Sequence, residues 1–373
     1  MAEPMRVLQV LGGLDIGGAE TLVMNLYRHL DRQQIQFDFV KHNAQMNFFE
    51  PEIKRLGGNI YTCPRYKVYN HIAYVRWWKQ FFRKHPQYKV IHGHVRSTAA
   101  IYLQIAKSFG LYTIVHSHST RNPAGISRYV KAALQWPIRR VADYFVACSQ
   151  TAGEWLFGKS ITQQSNFFVL PNAIDIERFV YNPAVREKMR KQLQAENQFV
   201  VGNVGRLVAQ KNQSFLLQVF AQIQKQYPQA RLLLVGDGPL KQTLKKQAQA
   251  LCVEKFVTFA DGTDPAFPYY QAMDVFVFPS LYEGLGMALV EAQSAGLPCV
   301  VSDSLPWEAD LQVGLITRVS LKESAAHWAQ QVLARRAKKR TDTRAAAQAK
   351  GYDIKAAVKW LKNVYENAGE KHV

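Results

Sequence analysis

Short apolar runs alternate with helical stretches along the whole of this 373-residue chain. That alternation confines it to parallel sheets wound with helices, an α/β architecture. The first half offers RVLQVL (6–11), FDFVKH (37–42), NIYTC (59–63), KVIHGH (89–94), TIVHSH (113–118), YFVACS (144–149) and FFVLPN (167–172) as strands. The second offers FVVGNVG (199–205), RLLLVGDG (231–238), FVTFAD (256–261), DVFVFPS (274–280), PCVVSD (298–303) and GLITRV (314–319). Each set suits one doubly wound, Rossmann-like domain, in which ligands sit at the carboxyl ends of the strands. Strand signals lapse over 173–198, so the expected domains are 1–180 and 181–352, with 353–373 carrying an amphipathic helix at 355–368. Each half is long enough to bury its own core.

One strand-turn-helix carries the strongest chemistry. In PSLYEGLGMALVEAQSAGLP, an apolar strand runs into Glu283-Gly284-Leu285-Gly286, and a helix then begins and stops at Gly296. Glycines let backbone amides approach a ligand, and a helix N-terminus favours an anion such as a diphosphate. Glu283 in the loop and Glu291 about one turn into the helix then face hydroxyl groups at either end of one elongated ligand. A sugar nucleotide has that layout. Alone, the two glutamates would be solvated charges on a capped helix. A second such unit, FVVGNVGRLVAQKNQ (199–213), adds Arg206 and Lys211, which grip phosphate as a planar fork and as a point charge. Together they neutralise the charge that builds on a departing nucleoside diphosphate.

These residues bring in a family. The Glu-x7-Glu spacing after PS-x-x-E, the GR…K element and PNAIDIERF (171–179) resemble the retaining family 4 glycosyltransferases of the GT-B fold. More narrowly they resemble bacterial enzymes that build exopolysaccharide or capsule, and LGGLDIGGAETLVMNLYRHL (11–30) is similar to that family's opening loop and helix. The resemblance spans nearly the whole chain and is weaker over 40–110 and after 320. It implies two Rossmann-like domains facing each other across a cleft, the first on the acceptor side and the second holding a nucleotide-sugar donor, UDP being the common nucleotide. The terminal helix would cross back onto the first domain. Arg206 and Lys211 would hold the diphosphate with backbone amides of Leu285, Gly286 and Met287. Glu291 would bind the ribose, Glu283 the transferred sugar, and Gly17 and Gly18 would close over the phosphates. His118 would line the sugar pocket, with His116 in reserve. No side chain stands out as a nucleophile, which favours same-face attack with the departing phosphate as base.

No cofactor and no metal are expected. The chain has no Asp-x-Asp, and His92, His94, His116 and His118 at two strand ends lack a carboxylate or Cys partner. The stretch Gly153–Ser160 satisfies a P-loop pattern, yet it reads as the inside of a helix with bulky Trp155, Leu156 and Phe157, so it is rejected. The four cysteines show no ligand spacing.

Charge points to the acceptor. The net charge is +19, and residues 53–142 contain 16 Lys and Arg but no Asp or Glu. Arg76, Lys79 and Arg83 recur at helical spacing among Tyr74, Trp77, Trp78, Phe81 and Phe82, and Arg128, Lys131 and Arg139 repeat the theme. Basic helices rich in aromatics suit an anionic membrane surface, and that reading is preferred to the alternative in which the aromatics pack on the sheet and the charges are merely solvated. With no signal-peptide layout and no membrane-spanning run, the expectation is a cytoplasmic protein, peripheral on the inner face of the membrane. Its acceptor would be a growing oligosaccharide on a polyprenyl diphosphate. Two other readings stay open: a GT-B sugar-nucleotide epimerase, and a basic nucleic-acid-binding protein. No nucleic-acid module is recognisable, and that reading leaves Glu283 and Glu291 unexplained, so no nucleic-acid partner is expected.

Overall fold

The computed structural model describes residues 3–118, 134–262 and 266–370. Arg128 and Lys131 lie outside them. The chain divides into two compact units, Met1–Ile174 with Gly351–Val373, and Asp175–Lys350.

Every run read as a strand is one. In the first unit these are β1 (Met5–Leu11), β2 (Ile35–Lys41), β3 (Ile60–Thr62), β4 (Val90–Gly93), β5 (Tyr112–Ser117), β6 (Tyr144–Ala147) and β7 (Phe167–Val169). In the second they are β8 (Phe199–Val204), β9 (Ala230–Val235), β10 (Val257–Ala260), β11 (Val275–Phe278), β12 (Cys299–Ser302) and β13 (Ile316–Val319). The sheet orders are β3-β2-β1-β4-β5-β6-β7 and β10-β9-β8-β11-β12-β13. All pairings are parallel, with Val7 opposite Val90 at β1/β4 and Val275 opposite Val201 at β11/β8. In both sheets the winding reverses beside the first strand, so the loops after β1 and β4, and after β8 and β11, leave their sheets as neighbours. Such switch points are where α/β sheets bind ligands.

Helices cover both faces, which is why the central strands read as continuous apolar runs. Along β1, Leu8 and Val10 enter one core and Val7 and Leu11 the other. Helix α1 (Gly18–His29) and the terminal helix, α4 (Ile354–Glu370), pack in the second of these cores. Ile354, Ala357, Leu361, Tyr365 and Ala368 are the buried stripe of α4, at the three-and-four spacing of a helix face.

Helix α2 (His71–Lys84) corrects one expectation. Tyr74, Trp78, Phe81 and Phe82 are buried against the sheet, and Trp77 stacks on Phe81 with ring centroids 5.2 Å apart. The aromatics are core and not a bilayer-facing surface, because their spacing of four, three and one places them on one inward stripe. Arg76, Lys79 and Arg83 stand exposed on the other face. The exposed apolar side chains nearby are Val68, Tyr69 and Ile72, where the chain enters α2. Among the described residues, no helix is long and apolar enough to cross a membrane.

Candidate active site

In the second unit the site is built on backbone contact. A Cβ on Gly236, at the end of β9, would lie 2.1 Å from the carbonyl oxygen of Gly205, at the end of β8, so these two loops pass where only glycine fits. The chain then carries Arg206, whose guanidinium is exposed and forms no ion pair with a described residue. Lys211 closes a single turn, Ala209–Lys211, before a helix over Gln213–Gln226. Asn203 on β8 donates to the Val277 carbonyl of β11 at 2.8 Å. Beyond the strands the zip continues: Leu281 N–H donates to Gln210 O at 2.9 Å, and Gln210 Nε2 donates to Tyr282 O at 2.8 Å.

That zip delivers Lys211 onto Glu283. Lys211 Nζ lies 2.7 and 2.8 Å from the two carboxylate oxygens and 5.0 Å from the centre of the Phe278 ring. The Glu283 side chain is 6% exposed and that of Lys211 18%, so the ion pair is largely withdrawn from water. Gly286 takes a left-handed conformation (φ 84°), and helix α3 (Met287–Ser294) starts directly after it. Gly284, Leu285, Gly286 and Met287 thus form the turn and the first amides of α3, which have no intrahelical acceptor. Glu291, on α3, accepts a hydrogen bond from the buried Tyr270 hydroxyl at 2.7 Å. Burial, and secondarily the Glu291 charge, push the Tyr270 pKa well up, so the phenol stays a donor. As an assembly, the site offers one cation held in an ion pair, a second that is exposed, the first amides of a helix and two oriented carboxylates at the adjacent ends of β8 and β11, a set able to hold a polyhydroxylated diphosphate.

In the first unit Gly17 caps α1, and a Cβ there would meet the Glu20 carboxylate at 2.5 Å. Asn172 Nδ2 donates to the Gly18 carbonyl at 3.4 Å, tying the PNAIDIERF segment to the opening loop. At the ends of β4 and β5, four imidazoles stack: His92–His94 at 4.4 Å, His94–His118 at 5.1 Å and His116–His118 at 4.0 Å between ring centres. Ring nitrogens of His92, His94 and His116 fall within 4.8 Å of one another, a spacing open to a metal ion. The rings of His92 and His116, however, lie 11° from parallel, and His94 already commits both nitrogens, to Gln9 and to His118. Burial lowers the pKa of His92 and of His118 to about 3 and those of His94 and His116 well below the usual value, so all four are neutral at pH 7.

Beside this cluster, at the ends of β1 to β4, lies a cavity of about 610 Å³ lined by Gly12, Asn43, Arg65, Tyr66, Lys67 and Thr98 among others. Of the basic residues singled out from the sequence, Arg76, Lys79 and Arg83 lie on α2 away from it, and Arg139 is exposed with its guanidinium against Gly158. Sequence reasoning passed over Arg65 and Lys67, although both lie in the acid-free stretch. It also passed over Tyr270, Gln9 and Tyr365; Gln9 had a signal, a polar residue inside an apolar strand run. The Gly153–Ser160 stretch is not a phosphate loop: Gln150–Phe157 is helical, and a Cβ on Gly153 would lie 2.6 Å from the Phe167 ring.

Known proteins match this chain at both units. The model described as glycosyl transferases group 1 matches residues 185–350, and the one described as Glycosyltransferase Family 4 matches 16–178. EpsF of Bacillus subtilis (strain 168) is 35% identical over 98% of this chain and 97% of its own length. The Escherichia coli UDP-Gal:alpha-D-GlcNAc-diphosphoundecaprenol alpha-1,3-galactosyltransferase is 28% identical over 59% of each chain. Among solved structures, Anabaena Alr3699/HepE in complex with UDP and glucose has a TM-score of 0.77 at 20% identity, covering 97% of this chain and 99% of that one, a likeness of fold.

Proposed function

This chain belongs to the family 4 glycosyltransferases of GT-B fold, and we propose that it moves a sugar from a UDP-linked donor, with retention of configuration, onto a polyprenyl-diphosphate-linked oligosaccharide during exopolysaccharide or capsule synthesis. The observation that carries the reading is the buried Lys211–Glu283 pair beside the free amides of α3, at the switch point of the second sheet. Arg206 and Lys211 hold the diphosphate and stabilise it as it leaves, Glu291 takes the ribose hydroxyls and Glu283 those of the sugar. Within the first unit, Gly17 and Gly18 are the proposed phosphate-approaching glycines and His118 the proposed contact to a sugar hydroxyl. Lys211, Arg206 and the helix amides supply the stabilisation that a metal gives elsewhere, so the reaction is metal-independent.

The name of the Escherichia coli relative supports both the UDP donor and the diphosphate-lipid acceptor. For the acceptor we propose the cavity at Arg65 and Lys67, whose cations suit a diphosphate. We further propose that Val68, Tyr69 and Ile72, with Arg76, Lys79 and Arg83 beside them, rest on the anionic inner face of the cytoplasmic membrane.

Thermal unfolding in EDTA with a panel of nucleotides and UDP-sugars is the test. UDP should raise the midpoint, and Lys211→Ala should abolish the shift. Incubation with a UDP-sugar and a polyprenyl-diphosphate acceptor should then release UDP and lengthen the acceptor. An epimerised sugar nucleotide with no acceptor product would replace transfer by epimerisation. Stabilisation by RNA or DNA alone would sink the transferase reading.

A further inference from the structure

The histidines of the first unit belong to one hydrogen-bonded chain, and its polarity follows from the atoms that meet. Gln9 stands at its centre: its Oε1 accepts from His94 Nε2 at 2.9 Å, and its Nε2 donates to the Tyr365 hydroxyl at 3.1 Å. A neutral imidazole has one N–H and one lone pair. His94 is neutral because burial, reinforced by the neighbouring imidazoles, holds its pKa well down. With its proton on Nε2, its Nδ1 is an acceptor. The atom 2.8 Å from that Nδ1 is His118 Nε2, which must therefore donate. His118 is also neutral, its pKa lowered to about 3 chiefly by burial, so its Nδ1 keeps the lone pair. At the far end the Tyr365 hydroxyl donates to His92 Nδ1 at 2.7 Å and leaves the proton on His92 Nε2.

His118 Nδ1 is buried and has no hydrogen-bond partner among the described residues. A buried polar atom left unpaired is costly, and a ligand hydroxyl that donates to it removes the cost. We propose that Gln9, His94 and Tyr365 are positioning residues that lock His118 as its Nε2–H tautomer, so that Nδ1 is presented as a hydrogen-bond acceptor to a hydroxyl of the sugar. This rests on the reading of His118 as a sugar contact. It deepens that reading by fixing the sense of the bond: the ligand group must be an O–H that donates, and an ether or fluorine in its place finds no partner. The device also makes α4, the last helix of the chain, part of the site's chemistry through Tyr365.

The test is tautomer-resolved NMR of the full chain, labelled with ¹⁵N-histidine, at pH 7.5, with His118→Gln identifying the resonance. Wild type should show His118 protonated at Nε2 and bare at Nδ1. Gln9→Leu removes the group that sets the polarity and should shift the tautomer ratio toward Nδ1–H by roughly tenfold, the worth of one hydrogen bond. Tyr365→Phe deletes one oxygen and no carbon, and carries the same test should the Gln9 variant fail to fold. A wild-type His118 protonated at Nδ1, or a ratio untouched by a folded variant, would overturn the proposal. No nucleotide enters the measurement, so its failure is separable from failure of the transferase reading.

Discussion

Lys211 and Glu283 are paired where neither charge is well hydrated, and that sets what substitution does. Removing one partner strands the other, so Lys211→Ala should cost about 3 kcal/mol in urea unfolding, and pairing it with Glu283→Gln should recover part of that loss. Turnover should fall a hundredfold or more in either single variant, as when one preorganised charge-stabilising group is lost at an active centre. Equal stability of Lys211→Ala and wild type would mean the pair is solvated and its geometry immaterial. Tyr270→Phe should be milder, about 1 kcal/mol, with a raised KM for the sugar nucleotide and an unchanged kcat, since its hydroxyl orients Glu291 and otherwise meets only the Ala288 carbonyl among the described residues. The residue types were legible from the strand-turn-helix spacing; their pairing was not. Lys211 and Glu283 are 72 residues apart, and what joins them is the adjacency of β8 and β11, a fact of winding order that no local pattern encodes.

Elements were easier to read than contacts. The central strands are buried on both faces, so their largely apolar runs stand out in the sequence, whereas α2 mixed core and surface signals in one stretch. Its aromatic content suggested a surface role because composition does not say which way a side chain points; the 3.6-residue repeat does, and it turns Trp78 inward. The two faces of α2 should therefore separate in experiment. Trp78→Ala should destabilise by 3 to 5 kcal/mol, read by denaturant midpoint. Reversing Arg76, Lys79 and Arg83 to Glu should leave the midpoint unchanged while weakening binding to anionic vesicles about a hundredfold, at about 1 kcal/mol for each cation lost. Tight binding to neutral vesicles by wild type would remove the electrostatic part of that account. Gly286 is the corresponding point on α3: a Cβ there has room, with its nearest atoms 3.6 Å away, but φ is 84°. Gly286→Ala should thus cost about 1 to 2 kcal/mol from backbone strain alone and blunt stabilisation by UDP.

At the scale of the molecule, the two units differ in how their chains are assembled and in what they bury. The second unit, Asp175–Lys350, is continuous, whereas the first needs α4, supplied after the second unit is complete. Expressed alone, 175–350 should fold and bind UDP, while 1–174 should stay soluble only when 351–373 is fused to it, because Ile354, Leu361 and Tyr365 fill its core. Acid should then take the units apart in order. His92, His94, His116 and His118 all lie in the first unit, and the second holds a single histidine, His327. In the unfolded chain each imidazole takes up a proton near pH 6.5. In the folded unit, burial delays this to about pH 3 for His92 and His118 and well below the usual imidazole value for the other two. Across that window the unfolded state binds more protons, so stability present above pH 6.5 drains away as the pH falls. Circular dichroism and histidine NMR along a pH series should show the first unit melting while Trp328, in the core of the second, remains in a native environment. Replacing His116 by Phe, which has no ring nitrogen to protonate, should move that first transition to lower pH. A single transition that shifts neither with His116→Phe nor between units would mean the imidazoles reach water and titrate in the folded protein.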